Sequence, residues 1–89
     1  MKTGQLVWTQ TSDALPAIPE RCWRTDRLVL ARSKKYGVLA LWFTRGWIDE
    51  DGTVLYSGTG DQRLWLSNDK MQCEESIIDD IVEWADFPI

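Results

Sequence analysis

Histidine is absent from the 89 residues, and this removes the base on which a serine or cysteine nucleophile usually depends. The two cysteines, Cys22 and Cys73, stand 51 positions apart. A tetrahedral zinc site built on them would need two carboxylates to complete it, a poor donor set for structural zinc, so two reduced thiols are expected and no metal or cofactor. Carboxylate pairs are plentiful, Asp49 with Asp51 and Asp79 with Asp80 among them. Glycosidic chemistry would also need a groove that a chain this short rarely encloses, and neighbouring acids along a turn are usually solvated. Asp49-Glu50-Asp51-Gly52 opens like a calcium loop but lacks the closing glutamate at the required spacing and reads better as a turn. Gly58-Thr59-Gly60 has neither the lysine of a phosphate loop nor the glycine spacing of a dinucleotide site. The chain is therefore read as non-enzymatic.

What remains for function is the surface. Tryptophan occurs six times, at positions 8, 23, 42, 47, 65 and 84. Each ring hides on the order of 200 Å² when buried. Trp42, Trp65 and Trp84 lie in apolar strand candidates and are assigned to the core. Trp8, Trp23 and Trp47 have polar or basic neighbours, as in Arg21-Cys22-Trp23-Arg24 and Arg45-Gly46-Trp47. An exposed ring in such a setting can anchor a protein partner. The candidate partner-binding residues are Trp23, Arg24 and Trp47, together with the acids Asp79, Asp80 and Glu83.

Charge is divided along the chain. Residues 1–48 hold eight bases against three acids, a net +5; residues 49–89 hold two against eleven, a net −9. The first reading is an intramolecular match between the halves, the second a dipolar surface that steers a charged partner. An acidic tail imitating a nucleic-acid backbone, or a nucleic-acid interface on Arg21, Arg24, Arg27, Arg32, Lys34 and Lys35, are the rival functions. The overall acidity argues against nucleic acid as a ligand, because phosphate binding rests on local positive potential.

The elements that must carry these residues fit a single domain over 1–89, since so short a chain cannot divide its buried surface between two cores. The longest apolar run, residues 38–43, is far below the roughly 20 residues of a membrane-spanning helix. The first residues hold no signal-peptide core, so a cytoplasmic address is expected. Pro16 and Pro19 keep 12–20 as an extended loop anchored by Leu15 and Ile18. Residues 27–32 and 37–43 form a predicted hairpin, the second run with no polar alternation and therefore expected to be covered on both faces. Asp51-Gly52 marks a second hairpin, and 63–66 a further short strand, whose edge could pair two copies of the chain. Residues 74–85 place Ile77, Ile78, Ile81 and Val82 at helical spacing. From Asp80 the same stretch also reads as a strand. The reading taken is a short helical turn followed by a final strand. The fold class is then α+β, mainly β: a small antiparallel sheet of four or five strands, a proline-containing N-terminal loop and one short C-terminal helix.

The framing residues Trp8, Asp13, Leu15-Pro16, Leu28-Val29-Leu30, Gly46-Trp47 and the closing Ile81-Val82-Glu83-Trp84-Ala85-Asp86-Phe87-Pro88 resemble a family of short phage and prophage domains of unknown function. Those proteins open on tryptophan and Leu-Pro and close on Val-Thr-His-Trp-Met-Pro-Leu-Pro. Glu83 stands here at the family's histidine, the closing proline pattern differs, and residues 54–73 look inserted. The resemblance implies a phage or prophage setting and a host cytoplasm without implying an activity, and it favours the strand reading of the tail. The expected function is that of a phage-type accessory protein that binds a protein, a host factor in that setting.

Overall fold

The computed structural model describes residues 7–87; residues 1–6, on which the amino-terminal reading rests, and the closing Pro88 lie outside them. The chain forms seven strands and no helix among the described residues: β1 Thr9–Gln10, β2 Val29–Ser33, β3 Gly37–Ile48, β4 Val54–Tyr56, β5 Gln62–Leu66, β6 Ile77–Ile78 and β7 Ile81–Ala85. All pair antiparallel in the order β1-β7-β2-β3-β5-β6, with β4 on β3. The sheet is thus larger than the four or five strands expected, and the expected C-terminal helix is absent. In its place the β-branched Ile77, Ile78, Ile81 and Val82 form two short strands around Asp79-Asp80.

That two-residue link dictates the shape. β6 and β7 lie four strand spacings apart in the sheet order, about 19 Å if the sheet were flat. Three Cα steps between Ile78 and Ile81 reach at most about 11 Å. The sheet therefore curls until its two ends approach, and β3 serves both halves. Its first part pairs with β2 (Val29 opposite Leu41, Ala31 opposite Leu39) and its second with β5 (Phe43 opposite Trp65). The enclosed core comprises Val29, Ala31, Leu39, Leu41, Phe43, Trp65, Cys73, Ile78 and Ile81. The Phe43 and Trp65 rings meet at 4.7 Å between centroids.

Burial alternates along β3, with Leu39, Leu41 and Phe43 inside and Val38, Ala40 and Trp42 facing outward. The expectation of a strand covered on both faces, with Trp42 in the core, is corrected accordingly: an all-apolar run hides the alternation that the pleat imposes. Trp65 is buried as expected, while Trp84 packs against the core and donates from Nε1 to the Ala14 carbonyl at 2.9 Å. Where β5 stops short of Ala40, the Gln72 side chain takes the place of a strand. Its Oε1 accepts from Ala40 N at 3.1 Å and its Nε2 donates to Ala40 O at 2.7 Å.

The two predicted hairpins are present. Gly37, at φ 81°, closes β2–β3 while Ser33 Oγ accepts from the amides of Lys35 and Tyr36. Gly52, at φ 83°, closes β3–β4, where Asp49 Oδ1 accepts from the amides of Asp51 and Thr53; both glycines use backbone conformations closed to most side chains. In the proline loop Pro16 is buried and Ile18 packs on the core, but Leu15 is exposed and does not anchor it. β5 is paired on both sides, with β3 and through Trp65 and Leu66 with β6, so 64–66 is not the free edge expected for pairing two copies.

Candidate functional site

The side chains singled out in the sequence separate into two groups. The acids lie on or beside β7 and face β2. Glu83 accepts from Gln10 Nε2 at 3.0 Å and pairs with Arg32, whose guanidinium carbon lies 4.6 Å from the centre of the Trp8 ring. Asp86 pairs with Arg27 at 2.7 Å, and Lys35 with Glu75 at 3.8 Å. Each pair joins the basic half of the chain to the acidic half, so the intramolecular match is present in the structure. It also occupies three members of the basic stripe, and a fourth, Arg24, lies 3.8 Å over the Trp42 ring. Trp8 is half-buried beneath Arg32 and is no free anchor.

Asp80 belongs to the same seam. It accepts from Ser33 Oγ at 2.7 Å and from Lys35 N at 2.9 Å. The Ser33 hydrogen bond is the main cause holding its carboxyl below the usual aspartate range, with partial burial opposing it. A lowered folded-state pKa means stability that is fully present above the ordinary value of about 3.9 and is lost as pH falls through the folded value. Asp80→Asn is therefore expected to melt below the wild type near pH 6, by about 1 kcal/mol. The gap should close as the pH falls below the ordinary aspartate range and through the lower folded-state value, and thermal melts at a series of pH values measure it. Asp79 is exposed beside it with no hydrogen-bond partner among the described residues.

The aromatic group lies at the opposite end of β3. Residues 23–25, to which the sequence reading assigns no element, add to the edge of β3. Thr25 N donates to Phe43 O at 2.9 Å, Arg45 N donates to Trp23 O at 2.7 Å, and Arg24 bridges to Thr44. This lays Trp23 on Tyr56, ring centroids 5.0 Å apart, with Arg24 between the Trp23 and Trp42 rings. Trp23 nonetheless stays 37% exposed, close to the 42% of Trp47. Trp47 stands opposite Leu55 on β4, and Tyr56, the next residue, points to the other face. The ribbon of β3 and β4 therefore separates Trp23 from Trp47.

That ribbon is apolar on its outside. Trp47 is 42% exposed, Ile48 47% and Leu55 53%. The hydrogen bonds of Asp49 N to Thr53 O and Ser57 N to Arg45 O fix the ladder so that Leu55 bonds to Trp47. Ladder alternation then turns the N–H and C=O of Val54 and Tyr56 away from β3. No described strand pairs with that outer edge. Sequence reasoning found Trp47 but missed Leu55 and Ile48, because only the hairpin register brings all three onto one arm.

Open grooves are modest. One of about 320 Å³ is lined by residues 21–26, and one of about 160 Å³ by Leu28, Ala40, Trp42, Asn68, Asp69 and Gln72. Each lining includes a single carboxylate. Cys22 is exposed and Cys73 buried, both as free thiols. Among the described residues no three cysteine, aspartate or glutamate side chains converge as a metal would require, and no helix is long and apolar enough to cross a membrane. Comparison with protein-family models, with curated proteins and with solved structures gave no match to the chain.

Proposed function

We propose that the chain is a non-catalytic protein-binding domain, of the phage or prophage accessory type that its framing residues resemble, and that a protein of the host docks on the β3–β4 ribbon. The observation that carries the reading is an arm with exposed Trp47, Ile48 and Leu55 beside an edge strand whose outward backbone groups have no partner strand among the described residues. Such an edge takes an extended segment of another protein as an added strand: the backbone supplies affinity and the alternating side chains supply selectivity. Trp47 and Leu55 form one wall of the seat. Ile48, with Trp23 laid on Tyr56, forms the other.

The rival readings fit less well. A nucleic-acid mimic needs its acids free, whereas Glu83, Asp86 and Glu75 are paired with bases and Asp80 is tied into the β2–β3 turn. A basic nucleic-acid stripe needs free guanidinium groups, and Arg24, Arg27 and Arg32 are committed to rings or carboxylates.

The test is affinity capture from bacterial lysate with the wild type and with a Trp47→Ala, Leu55→Ser variant. A protein held in equimolar amount by the wild type should bind the variant at least about 30-fold more weakly, the loss of one hot spot of about 2 kcal/mol. The variant should retain its fold, since surface changes cost little. Equal retention of that protein by both would refute the reading.

A further inference from the structure

We propose that Arg45 and Arg63 form a paired guanidinium site for a carboxylate carried by the docked partner; this rests on the β3–β4 ribbon being the docking arm. The two residues stand directly opposite each other on β3 and β5. They lie two positions beyond Phe43 opposite Trp65, hence on the same face, where the core opens to solvent. Arg45 directs both its backbone groups away from β5, its N–H to Trp23 O and its C=O to Ser57 N. The Arg45–Arg63 pair is therefore of the non-hydrogen-bonded kind, in which the side chains stand closest.

Like charges in that position oppose folding. Neither arginine forms an ion pair among the described residues, although three other bases do. Arg63 donates from Nη1 to the carbonyls of Gly60 at 2.9 Å and Gln62 at 3.4 Å, which fixes the head of the side chain beside the loop. Arg45 Nε is buried with no hydrogen-bond partner. An open buried donor on the residue that faces an anchored arginine across the ladder is an arrangement that an anion with two acceptor oxygens completes, because the planar fork matches carboxylate geometry. Two positions further along β3 on the same face are Trp47 and its partner Leu55. An acidic side chain, or the terminal carboxylate, of a segment lying on β4 would reach the pair from there.

The site is tested without the partner by titrating the isotope-labelled wild-type protein with acetate and following the arginine Nε–H resonances. Saturable shifts at Arg45 and Arg63, absent with chloride at equal ionic strength, are expected. Arg63→Gln should lose them while still unfolding in one cooperative transition, the lost hydrogen bonds to Gly60 and Gln62 being offset in part by removal of a like-charge neighbour. Arg63→Lys, which keeps the charge and loses the fork, should bind at least tenfold more weakly. The proposal is overturned if no saturable shift appears, if the shifts survive in Arg63→Gln, or if inorganic phosphate binds tenfold more tightly than acetate, which would make the site one for phosphoryl groups. Because no partner is present, the acetate result is independent of the lysate capture that tests the docking arm.

Discussion

Phe43→Ala is expected to cost about 3–5 kcal/mol of unfolding free energy, out of a total that for a chain of this length is about 4–13 kcal/mol. Phe43 is 2% exposed and lies where β3 passes from its pairing with β2 to its pairing with β5. Its ring packs on Trp65, and its backbone carries the Thr25 side chain and amide on the other edge. Truncation therefore opens a cavity at the one point where both halves of the curled sheet meet, and backbone pairing on both sides limits collapse into it. Urea unfolding followed by tryptophan fluorescence measures the loss. A cost below about 1.5 kcal/mol, the range of volume-conserving swaps, would mean that this ring is not central to the core.

Gly60→Ala should come close behind, at about 3 kcal/mol, the upper end of what overpacking costs. A Cβ at position 60 would meet Gly46 backbone atoms at 2.3 Å, and one at position 46 would meet Leu55 O at 2.5 Å. Neither obstacle is a side chain that can turn aside. The 57–61 loop is thereby pressed onto β3 at the base of the β3–β4 ribbon, which accounts for the glycine at position 60. Calorimetric melting of Gly60→Ala beside an exposed control, Thr59→Ala, separates backbone contact from loop flexibility: the control should melt within about 0.5 kcal/mol of the wild type.

Much of the architecture was legible because its signals are local. Asp51-Gly52 and the polar residues before Gly37 mark turns by their own chemistry, and the strands beside them follow. The tail was not legible, since Ile77, Ile78, Ile81 and Val82 satisfy helical spacing as well as two strands about a bend. Asp80 decides between them through bonds to Ser33 and to the amide of Lys35, more than forty positions away. Trp42 shows the same limit: only the inward side chains of its neighbours reveal which face it takes.

The candidate site was legible in part for a related reason. Trp47 declared itself by its polar surroundings, and the opposed charges of the two halves suggested an intramolecular match without placing it between β2 and β7. Leu55, Ile48 and the facing arginines are products of register. No property of residues 45 and 63 taken separately places them opposite each other, and Asp79, Asp80 and Glu83 lie on a different part of the sheet from the aromatic arm.

The most direct measurement is amide hydrogen exchange on the protein alone and bound to the lysate protein that the wild type retains. The outward-facing amides of Val54 and Tyr56 should exchange quickly in the free chain and become protected on binding, with no comparable change along β7. Protection confined to residues 79–86, with Val54 and Tyr56 unaltered, would contradict docking on the β3–β4 ribbon.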